Sequence, residues 1–366
     1  MTFRALLNPQ YKIEQFTFDS ALPWEIELWL SEHQAHAIFA NPRWYQELAS
    51  FLRHLGKVHR HSKFYWLVIS QAGKPILAAP MEHNSRLGRV QLRLLSNFYS
   101  PMVELFYDKQ QLTTIDAWQL LVESVSAHEP KWLSLRATPL RSEQAAIIRS
   151  SVTGLPCYAF SYLFSAHYQA KCMTLEQYWQ LRPSKLLHTL KRKGRQLQRK
   201  QHQFEITSTP SVEQIDHYWQ IYQHSWKHPE PSKTFINALI EWAASTGKLR
   251  LGLLYIEQKV VACQLWLIQD STAYIFKLAQ DISANQFSPG SLLTEFMINH
   301  IKQQDKIQHL DFLLGDDDFK ALWMEQKQQI FGVEIINQQC LTGRLFHLIQ
   351  KLKMTIKALF KGTAAR

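Results

Sequence analysis

The stretches YIFKLAQD (Tyr274–Asp281), FSPGSLLTEFMINHI (Phe287–Ile301) and HLDFLLGDDDFKALW (His309–Trp323) decide the reading of this chain. The first is aromatic and β-branched and reads as a strand. In the second, Ser288 and Pro289 suit a helix start, and the apolar residues that follow recur at helical spacing up to about residue 303. The third carries a strand over 307–314 into Gly315, an acidic turn, Lys320 and Trp323. Upstream, 249–257, 259–270 and 271–279 read as three consecutive antiparallel strands. Antiparallel hairpins mixed with a strand–helix–strand crossover place the chain in the α+β class.

Working outward, 175–201 reads as one or two helices, 212–226 as another, and 232–246 as a third that ends at Gly247. The first half repeats this order. A helix over 42–55 precedes a hairpin, FYWLVIS (64–70) and PILAAPM (75–81), that turns at Gln71-Ala72-Gly73-Lys74. Short strands over 91–96 and 102–107, a helix over 114–129 and a strand over 132–137 follow, and then a turn-rich passage. WLVISQAGKPILAAP (66–80) and LRLGLLYIEQKVVACQLWLI (249–268) share a pattern without identity, which points to an internal duplication. The expected divisions are 1–165, 166–340 and a basic amphipathic helix over 341–366.

Size and charge are consistent with this. At about 150 residues per domain, 366 residues make two domains, and 46% apolar content supplies two cores. Disorder and fibrous architecture are excluded. The net charge of +11 is concentrated. Lys185, Lys191, Arg192, Lys193, Arg195, Arg199 and Lys200 lie in one run without an acid, and Arg344, Lys351, Lys353, Lys357, Lys361 and Arg366 in another, leaving the remainder near neutral. Cys157, Cys172, Cys263 and Cys340 are far apart and read as free thiols of a reducing compartment. Met1–Pro9 lacks an apolar leader core, and no apolar run reaches the ~18 residues of a spanning helix. A cytoplasmic location is expected.

The chemistry concentrates around the opening stretch. A helix beginning at Ser288-Pro289-Gly290-Ser291 offers backbone N–H groups and a positive dipole end to an anion, or is simply a good helix start. Asp311, flanked by Leu310, Phe312, Leu313 and Leu314, is expected to be buried and to need a partner. Lys277, between Phe276 and Leu278, is a candidate; the two form a structural ion pair, or Lys277 points outward.

These residues carry a resemblance. Lys277-Leu-Ala-Gln-Asp281, Ser288-Pro-Gly-Ser-Leu-Leu293, Asp311-Phe-Leu-Leu-Gly315 and Lys320-Ala-Leu-Trp323 resemble the C-terminal signature of GNAT-superfamily acetyltransferases of the CelD and FemAB-like type. FANPRWYQEL (39–48), KPILAAPM (74–81) and SKLLHTLKRKGRQL (184–197) resemble it too. The resemblance implies two tandem GNAT-like domains, each a mixed, largely antiparallel sheet flanked by helices, with an acyl-donor groove in the second. It implies N-acylation of an amine, in a small molecule or an envelope or polysaccharide precursor. Acetyl-CoA or another acyl-CoA is the co-substrate, and aminoacyl-tRNA the alternative donor.

By this carry-over Asp311, Lys277 and Lys320 are the candidate catalytic residues, as base or charge stabilisers, and Ser288, Pro289, Gly290, Ser291 and Gly315 bind the donor. The usual Q/R-x-x-G-x-G/A pyrophosphate loop is replaced by Ala284-Asn-Gln-Phe-Ser-Pro-Gly290. The basic run over 184–201 is a tRNA-contacting helix or a solvated helix face. The terminal segment 344–361, with leucines between lysines, resembles an interfacial helix, which gives weak anionic-membrane contact at the inner face, or a helix docked on the second domain. A non-catalytic membrane-surface protein is the reading from another class. His33 with His36, and His59 with His61, have ligand-like spacing but no completing residues, so no metal is expected.

Overall fold

A computed structural model describes residues 11–33, 38–54, 62–86 and 89–349. The chain forms two compact units, one of residues 1–164 and 329–366, the other of residues 165–328.

The first unit runs β1 (Tyr11–Thr17), α1 (Trp24–His33), α2 (Pro42–His54), β2 (Ser62–Gln71), β3 (Lys74–Arg86), β4 (Arg89–Leu94), β5 (Phe106–Tyr107), α3 (Thr114–His128), β6 (Trp132–Arg141), α4 (Ser142–Ser151) and the start of β7 (Cys157–Lys171). The second unit holds the end of β7, then α5 (Leu175–Gln180), α6 (Ser184–Leu197), β8 (His202–Thr207), α7 (Val212–His224), α8 (Lys233–Ser245), β9 (Leu249–Ile256), β10 (Lys259–Gln269), β11 (Thr272–Gln280), α9 (Pro289–Gln304), β12 (His309–Leu314) and α10 (Asp318–Trp323). From β13 (Gln326–Asn337) the chain returns to the first unit, so the division expected at residue 340 falls at 328.

The duplication is visible in element order. From β1 to β7 and from β8 to β13 the chain follows one plan: strand, two helices, a three-stranded meander, helix, strand, helix, strand. Both meanders turn first on two residues, Ala72-Gly73 and Glu257-Gln258, with positive φ at each. A type I′ hairpin requires that conformation, and its twist matches that of the flanking strands.

In the first unit the strand order is β1-β2-β3-β4-β6-β13 and then the start of β7, with β5 beside β3. β4 and β6 run parallel, the other neighbours up to β13 antiparallel. The second has the order β7-β12-β11-β10-β9-β8. β11 and β12 run parallel, the rest antiparallel. In each repeat the last strand leaves its own sheet: β7 pairs with β12, and β13 pairs with β6. The chain is therefore α+β, with each unit a mixed, largely antiparallel sheet flanked by helices.

Helices cover both faces of the second sheet. Successive residues of a strand point to opposite faces. Gln264 of β10 donates to Gly290 O (2.9 Å) and Thr294 Oγ1 (2.8 Å) of α9, while the preceding residue, Cys263, reaches Tyr218 O of α7. Gln264 also accepts from Trp266 Nε1 at 2.8 Å, so this buried amide is satisfied and fixes α9 on the sheet. Leu186, Leu190, Leu292, Leu293, Met297 and Ile301 close the core on that side. In the first unit α3 and α4 pack Leu121, Val125, Ala145 and Ile148 against Leu67, Leu92 and Leu135.

All four cysteines are free. Among the described residues no helix is long and apolar enough to cross a membrane. The C-terminal helix begins at Leu341 and is described to residue 349, with Leu341, Leu345, Leu348 and Ile349 exposed. The rest of the expected amphipathic helix, 350–366, lies outside the described residues.

Candidate active site

β11 and β12 pair only through Thr272↔His309, Ala273↔Leu310 and Tyr274↔Asp311, although β11 continues to Gln280 and β12 to Leu314. A parallel pair that stops halfway opens a wedge. The cause lies in β12, where the register with β7 shifts between Asp311 and Leu314 and Leu313 takes φ 58°. The positive φ costs a branched-γ residue steric energy and marks a bulge that turns the strand away.

Asp311 holds this bulge. Its Oδ1 accepts from Leu313 N at 2.7 Å and from His167 Nε2 at 2.6 Å, and its Oδ2 accepts from Gln169 Nε2 at 2.8 Å. With the Asp311 oxygens as acceptors, His167 is assigned as an Nε2 donor. Both Asp311 and His167 are buried. The partners of Asp311 are thus His167 and Gln169 of β7, and not Lys277 as the sequence offered. Lys277 lies past the last β11–β12 pair, on the diverging part of β11.

Lys277 instead donates to Glu230 Oε2 at 2.7 Å, the lysine half-buried and the Glu230 side chain enclosed, and its ammonium lies 5.8 Å from the ring centre of Tyr222. Burial pulls its pKa down, and Glu230 opposes that. On the other side of the wedge, Lys320 of α10 donates to Leu314 O and lies 3.9 Å from Asp317. Burial lowers its pKa also, against the attraction of Asp317 and Asp311. Gly315 makes room for it: with φ +129°, a Cβ here would lie 2.7 Å from Lys320 Nζ.

A third lysine joins these two. Lys227, in the segment between α7 and α8, is half-buried, and its pKa is lowered to about 8, first by burial and then by the positive charges of Lys277 and Lys320. It therefore lies within electrostatic reach of β11 on one side and of α10 on the other. It loses its proton more readily than an exposed lysine does.

The start of α9 differs from expectation. Ser288 has left-handed backbone (φ 52°, ψ 52°) and its side chain makes no cap. Its carbonyl accepts from Ser291 N and Leu292 N, while Gly290 N donates to Gln280 Oε1 at 2.8 Å. Pro289 has no N–H. The first-turn donors are thus bonded within the protein. Gly290 is required for this contact, since a Cβ would lie 2.5 Å from Gln280 Oε1. Gly315 N is also occupied, donating to Ala166 O. What remains for an incoming anion is the helix dipole and the hydroxyls of Ser288 and Ser291.

The wedge thus gathers Lys277, Lys320 and Gly315 of the sequence-derived set, with Asp311 at its apex and Ser288, Pro289, Gly290 and Ser291 at the start of the helix that follows β11. His167, Gln169, Lys227 and Glu230 were missed. The first two lie on β7, read as turn-rich; its period-two pattern, Tyr158, Phe160, Tyr162, Phe164, Ala166, Tyr168 and Ala170, was the available signal. Lys227 and Glu230 sit in the polar, proline-bearing segment HSWKHPEPS (224–232), where no local pattern distinguishes them. Among the described residues no group of His, Cys, Asp and Glu is arranged to hold a metal ion.

A parallel strand pair splayed at its centre, a helix crossing from one of its strands to the other, and a preceding three-stranded meander define a GNAT-type acyltransferase fold. Residues 184–321 match the family model described as acetyltransferase (GNAT) domain. FemX is similar in structure over 92% of this chain and 99% of its own, at 9% identity and a TM-score of 0.59. The C-terminal domain of a putative lysylphosphatidylglycerol synthetase from Agrobacterium fabrum is similar over 88% and 93%, at 11% identity and a TM-score of 0.51. A tandem GNAT protein from the clavulanic acid biosynthesis pathway is similar over 88% and 98%, at 8% identity and a TM-score of 0.47. At these identities the likeness is one of fold. No curated protein matches the chain.

Proposed function

We propose that the second unit transfers an acyl group, acetyl or larger, from acyl-CoA to an amine, with the wedge between β11 and β12 as the site. The observation that carries this is the wedge itself, with Lys277 on the diverging part of β11 and Lys320 on α10 just past the end of β12. Where its ladder to β12 ends, β11 offers an edge against which an extended, amide-bearing chain such as pantetheine can add in the manner of a strand. The thioester then lies among Lys227, Lys277 and Lys320. Attack by the amine requires loss of a proton and places negative charge on the carbonyl oxygen. Lys227, the lysine most readily neutral, takes the proton, and Lys320 or Lys277 stabilises the oxyanion; as the carbonyl re-forms the C–S bond breaks and the departing CoA thiolate takes that proton back from Lys227. Asp311 is a positioning residue that sets the wedge through the bulge.

Aminoacyl-tRNA as donor is favoured by one specific observation. α6 packs beside α9 and the turn before it, with Lys193 donating to Gln286 O, and exposes Lys191, Arg192, Arg195 and Arg199 around a shallow basic hollow. Calorimetric titration with acetyl-CoA, coenzyme A and charged tRNA separates the donors. Acetyl-CoA is expected to bind with a heat that coenzyme A largely reproduces. Binding of tRNA alone, weakening steeply with salt, would replace the thioester reading by the ester one.

The exposed leucines at the start of the C-terminal helix, together with the basic residues of 344–361, lead us to propose anionic-membrane contact as well. The full chain is expected to co-sediment with vesicles containing phosphatidylglycerol more than a chain truncated after residue 340. Equal pelleting of the two would remove the proposal.

A further inference from the structure

The first unit carries four charged residues in one row across its sheet. The register pairs Glu82 of β3 with Arg93 of β4, Arg93 with Arg136 of β6, and Arg136 with Glu334 of β13. Register partners project from the same face, so the row reads carboxylate, guanidinium, guanidinium, carboxylate. Glu82 and Glu334 are buried. Arg93 donates through Nε and Nη2 to Glu82 Oε2, each at 2.5 Å, and Ser62 donates to Glu82 Oε1 at 2.7 Å. Arg136 Nη2 lies 3.4 and 3.3 Å from the two Glu334 oxygens. The two arginine side chains stay 37% and 45% exposed.

Two like charges side by side in a sheet are unfavourable, and here each is clamped from its outer side only. The outer carboxylates fix both guanidinium groups on neighbouring strands, and among the described residues the register puts no carboxylate between them. They line a cavity of about 500 Å³ with Ser134, Asn84 and Asn97, and Phe98 stands exposed at its side. Asn97 Nδ2, buried there, has no hydrogen-bond partner. A buried donor left unsatisfied is rare and marks a position where a ligand acceptor or water belongs.

We propose that this cavity binds the oxyanion of a small phosphorylated or carboxylated molecule between Arg93 and Arg136. The paired arginines present forked donors that match phosphate or carboxylate geometry, and the buried glutamates hold them in place beforehand, so little side-chain entropy is lost on binding. Asn97 supplies a further donor, and Phe98 offers its face to the uncharged part of the ligand. This site lies wholly within the first unit and does not depend on the transfer chemistry assigned to the second.

Phenylglyoxal modification of the full chain, read residue by residue in peptide masses, tests it. Inorganic phosphate at ~10 times its dissociation constant is expected to slow adduct formation at Arg93 and Arg136 about tenfold, with Arg149 on α4 unaffected. Sodium acetate at matched ionic strength is the second arm; protection by acetate and not phosphate assigns the site to carboxylates. In Arg136→Gln, phosphate should no longer protect Arg93, and Arg136→Lys, which keeps a charge opposite Glu334, should weaken protection without abolishing it. If neither anion protects the wild-type arginines, or if Arg149 is slowed to the same degree, the site does not exist.

Discussion

Replacing Asp311 by alanine is expected to destabilise the second unit by about 3–5 kcal/mol, the largest single effect foreseen for this chain. The carboxylate accepts from His167, Gln169 and the Leu313 backbone, and it is buried, as are His167 and Leu313, while Gln169 is half-buried. Alanine removes all three acceptor contacts at once. Each buried donor left without a partner costs ~1–3 kcal/mol, and rearrangement of Gln169, which is the least enclosed, returns part of the sum. Urea unfolding followed by tryptophan fluorescence measures it. Asp311→Asn keeps the shape and one carbonyl oxygen, so it should retain the fold at roughly half the cost. A loss below ~1 kcal/mol in Asp311→Ala would mean that the bulge stands without the carboxylate. Turnover by Asp311→Asn then separates position from chemistry: full activity would restrict Asp311 to the fold.

Lys227→Met is expected to lower kcat by ~10²–10⁴-fold while leaving the donor affinity near its wild-type value. A general base acts in its neutral form. With the Lys227 pKa lowered to about 8, the protonated fraction dominates below that pH, so the wild-type rate should rise tenfold per pH unit up to about 8 and level off above it. That limb should vanish in Lys227→Met. Lys227→Arg should not rescue, because a guanidinium stays protonated throughout. Stability changes do not imitate this result. A lysine whose folded pKa is depressed opposes folding while it is protonated below about 8, and that opposition fades only as pH climbs toward its unfolded value. Removing the ammonium therefore does not unfold the protein at neutral pH. An unchanged pH profile in Lys227→Met would transfer the proton to another group.

Much of this architecture was legible in the sequence. The hairpin over 249–268, the Pro289 helix and the strand into Gly315 each carry local signals, namely turn residues, a fixed φ and an apolar run, that no distant contact overrides. The same holds for the first hairpin, and the similarity of the two exposed the duplication. The site was legible in part, because Lys277, Asp311, Gly315 and Lys320 sit in that locally determined frame. Their partners were not. Asp311 meets His167 and Gln169 only because β7 is laid beside β12, and Lys277 meets Glu230 across a segment without periodicity. Pairings between strands remote in sequence are set by tertiary packing, which leaves no trace in a window of ten residues. At α9 the local signal itself misled: Ser288 has the composition of a cap, yet a left-handed backbone redirects its carbonyl to the donors that a cap would serve.

The exchange of final strands has a consequence for how the molecule is made. β6 is flanked by β4 and by β13, and β13 lies near the far end of the chain. A ribosome delivers residues 1–164 long before residue 329 emerges, so the first sheet must wait with β6 exposed while the entire second unit is synthesised. The second unit meets no such delay, since β7 precedes everything it pairs with. The unit whose synthesis begins first is thus completed last, and a nascent chain stalled anywhere before β13 carries an open strand edge that invites misassociation. Limited proteolysis of stalled chains should find the first unit cleavable and the second already resistant.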